Sequence, residues 1–297
     1  LRSGRRAGAD TVGPVLECVV NVSEGRRAGV VDALASACGA ALLDVHSDAD
    51  HNRSVLTLAG AADEVAEAAL ALARAAVERI DLAAHAGVHP RLGAVDVVPF
   101  VPLDDAGSDG LAAAGQVART WAERAARELG VPVFLYGSAD PAGRSLPDVR
   151  RSAFKERAPD FGPAGPHPTA GAMAVGARPV LVALNCELPG ADVAVARTIA
   201  RAVRERDGGL PGVRALGFAL ASRRRAQVSM NLTDLGATGV EAACSAVRRA
   251  AASHGTDVAA VELVGLLPAA ELERCSEEFL AWSGLSPDQT IEVRLRR

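Results

Sequence analysis

The stretch Leu42-Leu-Asp-Val-His-Ser-Asp-Ala-Asp-His-Asn-Arg-Ser-Val-Leu-Thr-Leu58 decides the fold. Leu42 to Val45 is a short apolar run, His46 to Asn52 is a polar connection, and Arg53 to Leu58 alternates as a half-buried strand does. Two neighbouring antiparallel strands follow. Upstream, Val15 to Asn21 is a continuous β-branched run, and Ser23-Glu-Gly25 introduces a helical stretch through Cys38. Downstream, Ala61 to Ile80 has apolar residues at helical spacing, with Glu64, Glu67, Arg74 and Glu78 set among them. A turn rich in His, Gly and Pro then leads to a strand from Leu92 to Phe100. The order is βαββαβ.

That order recurs. Val180 to Leu188 reads as a strand, Asp192 to Arg206 as a helix, Val213 to Leu220 and Gln227 to Leu232 as strands, Val240 to Ser253 as a helix and Val258 to Leu263 as a strand. The expected class is α/β of the α+β kind, two ferredoxin-like βαββαβ subdomains with helices on one face of each antiparallel sheet. Between them lie a helix from Leu111 to Leu129, a strand from Val131 to Tyr136, and a Pro/Gly-rich passage from Ala158 to Pro179. The boundary falls in that passage, giving subdomains 15–170 and 171–297. Residues 1–14 are rich in Arg and Gly without a hydrophobic stretch, which reads as a flexible extension and not as a signal peptide.

Composition narrows the function. With 297 residues, 49% of them hydrophobic, the chain has material for a large core. A net charge of −4 gives no electrostatic reason to expect nucleic acid, and 3% aromatics leaves few stacking platforms. Lys155 is the only lysine, so an anionic partner has to be met by arginine, whose planar fork suits carboxylates. Cys18, Cys38, Cys186, Cys244 and Cys275 are odd in number and form no CxxC pair, as expected of reduced thiols in a cytoplasmic protein. The apolar runs stop short of the roughly 18 residues a membrane span requires, so no membrane partner is expected.

The densest chemical signal is Asp81-Leu-Ala-Ala-His-Ala-Gly-Val-His-Pro-Arg-Leu-Gly-Ala-Val-Asp96, where a helix gives way to a strand. His89 can exchange a proton near neutral pH, with Pro90 constraining the backbone and Arg91 beside it as a cation. On residue pattern alone, a hydrogen-bonded turn histidine is the plainer account. His85 and His89 stand four apart, and His46, Asp48, Asp50 and His51 form a second polar cluster. Together they keep a metal-dependent amidohydrolase built on His46, Asp50, His85 and His89 as a competing class, although Gly87 and Pro90 weaken a helix there and the HExxH glutamate is missing. Gly171 to Arg178 has the outline of a phosphate loop without its lysine, so nucleotide binding is poorly supported. Alternation in the last strand pair puts Gln227, Ser229 and Asn231 on one face, either a solvated sheet face or a ligand cleft.

Glu17-Cys-Val-Val-Asn-Val-Ser-Glu-Gly25, Leu43-Asp44, Asn52-Arg-Ser54, His89-Pro-Arg-Leu-Gly-Ala-Val-Asp96, Pro132-Val-Phe-Leu-Tyr-Gly137, Pro159-Asp-Phe-Gly-Pro163, Gly176-Ala-Arg178, Ala226-Gln-Val-Ser-Met-Asn-Leu-Thr-Asp234 and Leu263-Val-Gly-Leu266 occur in one order along nearly the whole chain. In this the sequence resembles the formiminotransferase family, the glutamate formimidoyltransferases of histidine breakdown and one-carbon folate metabolism. The resemblance implies a folate-binding cleft between the two subdomains, a homodimer, and transfer of the formimino group of N-formimino-L-glutamate to N5 of tetrahydrofolate as co-substrate. It implies no metal. The family's proposed catalytic base falls on His89. The resemblance further implies that Arg53, Arg91 and Arg178 meet substrate carboxylates, and that Asn21, Ser23, Gly25, Asp44, His46, Asp50, Gly93, Gln227, Ser229 and Asn231 line the site.

The sequence departs from the family in places. Val88 stands where an acid often precedes the histidine, and His46 where the animal enzymes carry an Asp, a role that Asp48 or Asp50 is expected to take over. The cyclodeaminase half of the animal enzymes is not matched, and residues from Glu271 onward carry no assigned role. A formyl donor, differing by O in place of NH, stays open, as does a folate-binding protein without activity.

Overall fold

The computed structural model describes residues 15–103, 107–220 and 222–297; the extension expected for residues 1–14 lies outside them. The first half runs β1 (Val15–Val22), α1 (Ala28–Ala37), β2 (Leu42–Asp48), β3 (Arg53–Ala61), α2 (Ala62–Arg79), β4 (Val95–Pro102), α3 (Gly107–Leu129), β5 (Val133–Gly137), α4 (Leu146–Ser152) and β6 (Met173–Ala177). The second runs β7 (Val182–Pro189), α5 (Val193–Val203), β8 (Val213–Leu220), β9 (Arg225–Leu232), α6 (Val240–Ser253) and β10 (Ala260–Val264), followed by α7 (Ala269–Glu273), α8 (Glu277–Ser283) and α9 (Ile291–Arg294).

Two sheets result. The second has the order β10-β7-β9-β8 with every pair antiparallel, and the first contains the equivalent order β2-β3-β1-β4, again antiparallel. Both are the split βαβ arrangement. The first sheet continues past β4 into β6 and β5, which run parallel to it. Because β6 belongs to this sheet, the division between sheets falls at 178–181, beyond the 170/171 boundary expected from the sequence.

Each sheet buries one face under helices. On the first, Leu16, Cys18, Val20 and Val22 of β1 meet Val65, Ala69, Leu72, Ala73 and Ala76 of α2, apolar positions that recur at helical spacing. The alanines bring helices close, and the Trp121 indole of α3 donates to the Ala66 carbonyl of α2 at 2.9 Å. On the second, Val182, Leu184, Cys186 and Leu188 of β7 meet Ile199 of α5 and Val247 of α6. Among the described residues no helix is long and apolar enough to cross a membrane.

The opposite faces turn toward each other. Asp48 lies 3.5 Å from Arg223, His46 3.6 Å from Glu262, and Asp44 3.6 Å from Arg294, each pair crossing from the first sheet to the second half. The rest of the first open face is covered by α4, where Val149 joins Val97, Phe134, Tyr136 and Ala174 in a small separate core. Leu184 is fully buried, so Leu184→Ala is expected to cost about 2–5 kcal/mol in urea unfolding; a loss below about 1 kcal/mol would contradict the tight packing of the second core.

Candidate active site

After α2 the chain makes a single tight turn at Leu82–Ala84, fixed by Asp81, whose side chain accepts from the Ala83 amide. It then runs irregularly to β4. The strand expected from Leu92 begins at Val95, because Leu92, Gly93 and Ala94 pair with Ala170–Ala172. Asn52, at φ 46°, clamps this loop: its side chain donates to Ala86 O and accepts from Gly25 N, each at 3.0 Å. Gly87 passes so close to the backbone at His51 and to the Arg91 guanidinium that no Cβ fits.

His89 is half-buried, and its Nδ1 lies 2.7 Å from the Pro90 carbonyl oxygen. A carbonyl only accepts, so Nδ1 carries the hydrogen and Nε2 keeps a free lone pair. The same carbonyl accepts from Arg150 Nη1 of α4 at 3.0 Å. Arg150 Nη2 in turn reaches Asp96 Oδ2 at 2.6 Å, and Arg53 Nη1 meets that oxygen at 2.6 Å. Asp96 Oδ1 accepts from the Leu92 amide at 2.7 Å. Burial alone would raise the Asp96 carboxyl; the charges of Arg53 and Arg150 and its hydrogen bonds outweigh that and hold it at about 2. Desolvation, then the charge of Arg53 and, more weakly, that of Arg150, push the His89 imidazolium down to about 3 against the pull of Asp96. His89 is therefore a neutral imidazole at pH 7.

The second half contributes Phe218 of β8. Its ring lies 6.1 Å from His89 at 31°, and 5.1 Å from His51 edge-on. His51 is held by Asp48, Nδ1 to Oδ1 at 2.9 Å, while Asp50 accepts from the Ser222 amide and hydroxyl at 3.1 and 2.5 Å. Gln227 pairs with Phe218 across β8 and β9; it is fully buried, and neither its amide oxygen nor its nitrogen has a partner.

Of the residues singled out from the sequence, Asn21, Arg53, Arg91 and His89 come together. Asn21 accepts from Arg53 at 2.9 and 3.2 Å. Arg91 donates to the His89 and Gly87 carbonyls at 2.7 and 2.9 Å and lies against the His85 imidazole. Both guanidiniums thus face protein acceptors. Ser23, donating to Gly93 O at 2.8 Å, and Gly25, whose amide bonds Asn52, tie the surrounding backbone. Along β9 the shared face grades from buried Gln227 through half-buried Ser229 to exposed Asn231. Arg178 lies elsewhere, near Glu17 and Tyr136, with Glu17 about 13 Å along β1 from Asn21. Burial, opposed by Arg178, raises the Glu17 carboxyl to about 7. Among the described residues no three His, Cys, Asp or Glu side chains gather to hold a metal. Of the hydrolase set, His46 faces Glu262, Asp50 bonds Ser222, His85 packs on Arg91 and His89 bonds Pro90.

Residues 15–178 match the formiminotransferase domain, N-terminal subdomain, and residues 183–295 match the formiminotransferase domain. The chain belongs to the formiminotransferase family. It is 38% identical to glutamate formimidoyltransferase of Streptococcus pyogenes serotype M1, covering 90% of this chain and 93% of that one. It is also 38% identical to glutamate formimidoyltransferase of Thermoplasma acidophilum, over 95% and 98%. With formimidoyltransferase-cyclodeaminase of Sus scrofa it shares 40% identity over 86% of this chain and 50% of the longer one.

Three residues of the candidate site were given no role from the sequence: Asp96, Arg150 and Phe218. Asp96 carried a signal, an acid alone in the apolar strand Val95–Phe100. Val88, the departure noted above, is 49% exposed; an acid that does act on His89 is Asp96, although burial and the charge of Arg53 outweigh its pull. Its carboxyl is lowered from 3.8 to about 2, so its contribution of about 2 kcal/mol is present above pH 4 and lost as pH falls through 2. Asp96→Asn is expected to destabilise by about 3–5 kcal/mol at pH 7, leaving two guanidiniums uncompensated, and to flatten this acid limb. Urea unfolding between pH 2 and 7 reads both; an acid limb equally steep in the variant would sink the assignment.

Proposed function

We propose that the chain is a folate-dependent transferase that moves the formimino group of N-formimino-L-glutamate to N5 of tetrahydrofolate, with His89 as its acid–base group. Beyond family membership, one observation carries this reading: the Nδ1–H of His89 is fixed on Pro90 O, leaving the Nε2 lone pair free beside Phe218, where the two halves meet.

Tetrahydrofolate supplies the nucleophilic N5 when bound. As the new C–N bond forms, His89 Nε2 takes the proton released; as the old C–N bond breaks, it returns that proton to the glutamate nitrogen. The Pro90 carbonyl stabilises the imidazolium in between. The proton load is balanced over the cycle, and holding both substrates in line supplies much of the remaining acceleration. The donor's carboxylates are drawn by net positive charge, since Arg53 and Arg150 share a single acid and Arg91 bonds carbonyls. For a pterin, the Gln227 amide offers one unpartnered acceptor and one unpartnered donor, and Thr57 Oγ1 is likewise unpaired. A cytoplasmic homodimer belongs to the same reading, and sedimentation of the full chain tests the dimer.

The decisive measurement is a spectroscopic assay of purified protein with tetrahydrofolate and formiminoglutamate, run beside formylglutamate. Turnover of the first alone supports formimino transfer, preference for the second shifts the donor to formyl, and turnover of neither sinks the transferase reading. His89→Ala is expected to keep tetrahydrofolate binding while losing about 10²-fold or more in turnover. Unchanged turnover would remove His89 from the mechanism.

A further inference from the structure

We propose that Arg150 is a positioning residue for the transferase reaction, acting through the Pro90 carbonyl to hold the His89 imidazole in its Nδ1–H form, with Asp96 as the anchor of the device. The chain of contacts is continuous. Asp96 Oδ2 holds Arg150 Nη2 at 2.6 Å, Arg150 Nη1 holds Pro90 O at 3.0 Å, and Pro90 O holds His89 Nδ1 at 2.7 Å. The two arms of one planar guanidinium are thus divided between a buried carboxylate and the carbonyl that selects the tautomer. Lysine, a point charge, cannot span both.

The helix that carries Arg150 is built as a rigid mount. Ser145 and Asp148 form a capping box at the start of α4, Ser145 N to Asp148 Oδ2 at 3.0 Å and Oγ to the same oxygen at 2.6 Å. Val149 is fully buried against the open face of β5 and β6. Arg151, next in sequence, points the other way: its side chain is 69% exposed and pairs with Asp148. It therefore serves as a control of matched chemistry.

The charged and titratable groups around His89 are Arg53 from β3, His51 from the β2–β3 connection, Asp96 from β4, Arg150 from α4, and His85 and Arg91 from its own loop; β8 presents uncharged Phe218. Arg150 is one of two cations that oppose protonation of the imidazole. Removing its charge must let His89 protonate at higher pH.

The test is proton–nitrogen correlation NMR of histidine-labelled full-length protein, read in the absence of substrates across a pH titration. Wild type is expected to show His89 as the Nδ1–H tautomer. In Arg150→Met the Nε2–H form should reach about half or more, and protonation should move upward by about one pH unit or more. Arg150→Lys keeps the charge, and should relax the tautomer with titration close to wild type. Arg151→Met should match wild type in both. A wild-type tautomer in both Arg150→Met and Arg150→Lys overturns the proposal; if the Met variant fails to fold, the Lys variant alone decides. The kinetic arm rests on the transferase reading: Arg150→Lys should lower kcat about 10-fold with KM for the donor changed less than about 3-fold. An inactive wild type with the expected tautomers would sink the transferase reading and leave the positioning device standing.

Discussion

The Asp96 carboxylate is fully buried, and the site is arranged around satisfying it. A lone buried carboxylate is costly enough that it would ordinarily take up a proton. Here one oxygen accepts from a main-chain amide at Leu92 and the other is shared by two guanidiniums, which keeps the group ionised. Those three donors come from the His85–Leu92 loop, from β3 and from α4, elements far apart in sequence. Their mutual position is therefore set by one charge. Arg53, held there, is braced in turn by Asn21 of β1, and Arg150, held there, has one arm left for the carbonyl that fixes His89.

The arithmetic of this centre has a second effect. Two guanidiniums against one carboxylate leave an excess of one positive charge, and Arg91 adds another because its hydrogen bonds go to carbonyls. Burial first, and then such an excess, keep the His89 imidazole neutral, and the excess draws anions. The arginines that a sequence reader assigns to gripping carboxylates directly thus have their forks engaged inside the protein. Their net charge still acts on whatever enters, and an entering anion would raise the basicity of His89 by the same electrostatics that suppress it in the free protein.

The fold was legible where periodicity was clean. β1, β3, α2 and the β7–β10 half announce themselves through alternation or helical spacing, and two adjacent strands between helices recur in both halves. β6 was not legible. Met173-Ala-Val-Gly-Ala177 is short, small and glycine-bearing, and its glycine is required because the Tyr136 carbonyl and ring lie where a Cβ at Gly176 would go. Within the site, the density of His, Gly, Pro and Arg around His89 was visible, and Asp96 stood out as an acid in an apolar strand. Arg150 did not stand out, since in sequence it is one of an adjacent pair and only packing sends it inward and Arg151 outward. Phe218 shares a strand face with Arg214 and Leu216, and only the meeting of two sheets tells which of these nears His89. Nothing in the tail from Glu271 announced that Arg294 would return to Asp44 of the first sheet.

The location of the buried polar atoms without hydrogen bonds bears on why the candidate site lies between the sheets. A ferredoxin-like sheet covers one face with its own helices and leaves the other open, so two such sheets in one chain can bury their open faces on each other. The helix-side cores are apolar and need no ligand. The seam differs: the buried side-chain atoms without a hydrogen bond among the described residues are Thr57 Oγ1, both amide atoms of Gln227 and Asp48 Oδ2, the last facing the Arg223 guanidinium at 3.5 Å, on β3, β9 and β2. The Thr57 and Gln227 atoms each cost about 1–3 kcal/mol if nothing satisfies them. Random imperfections of packing would scatter these costs over both cores; instead they are confined to facing strands, and the seam also carries His89 and His51, two imidazoles whose Nδ1 is held by an acceptor.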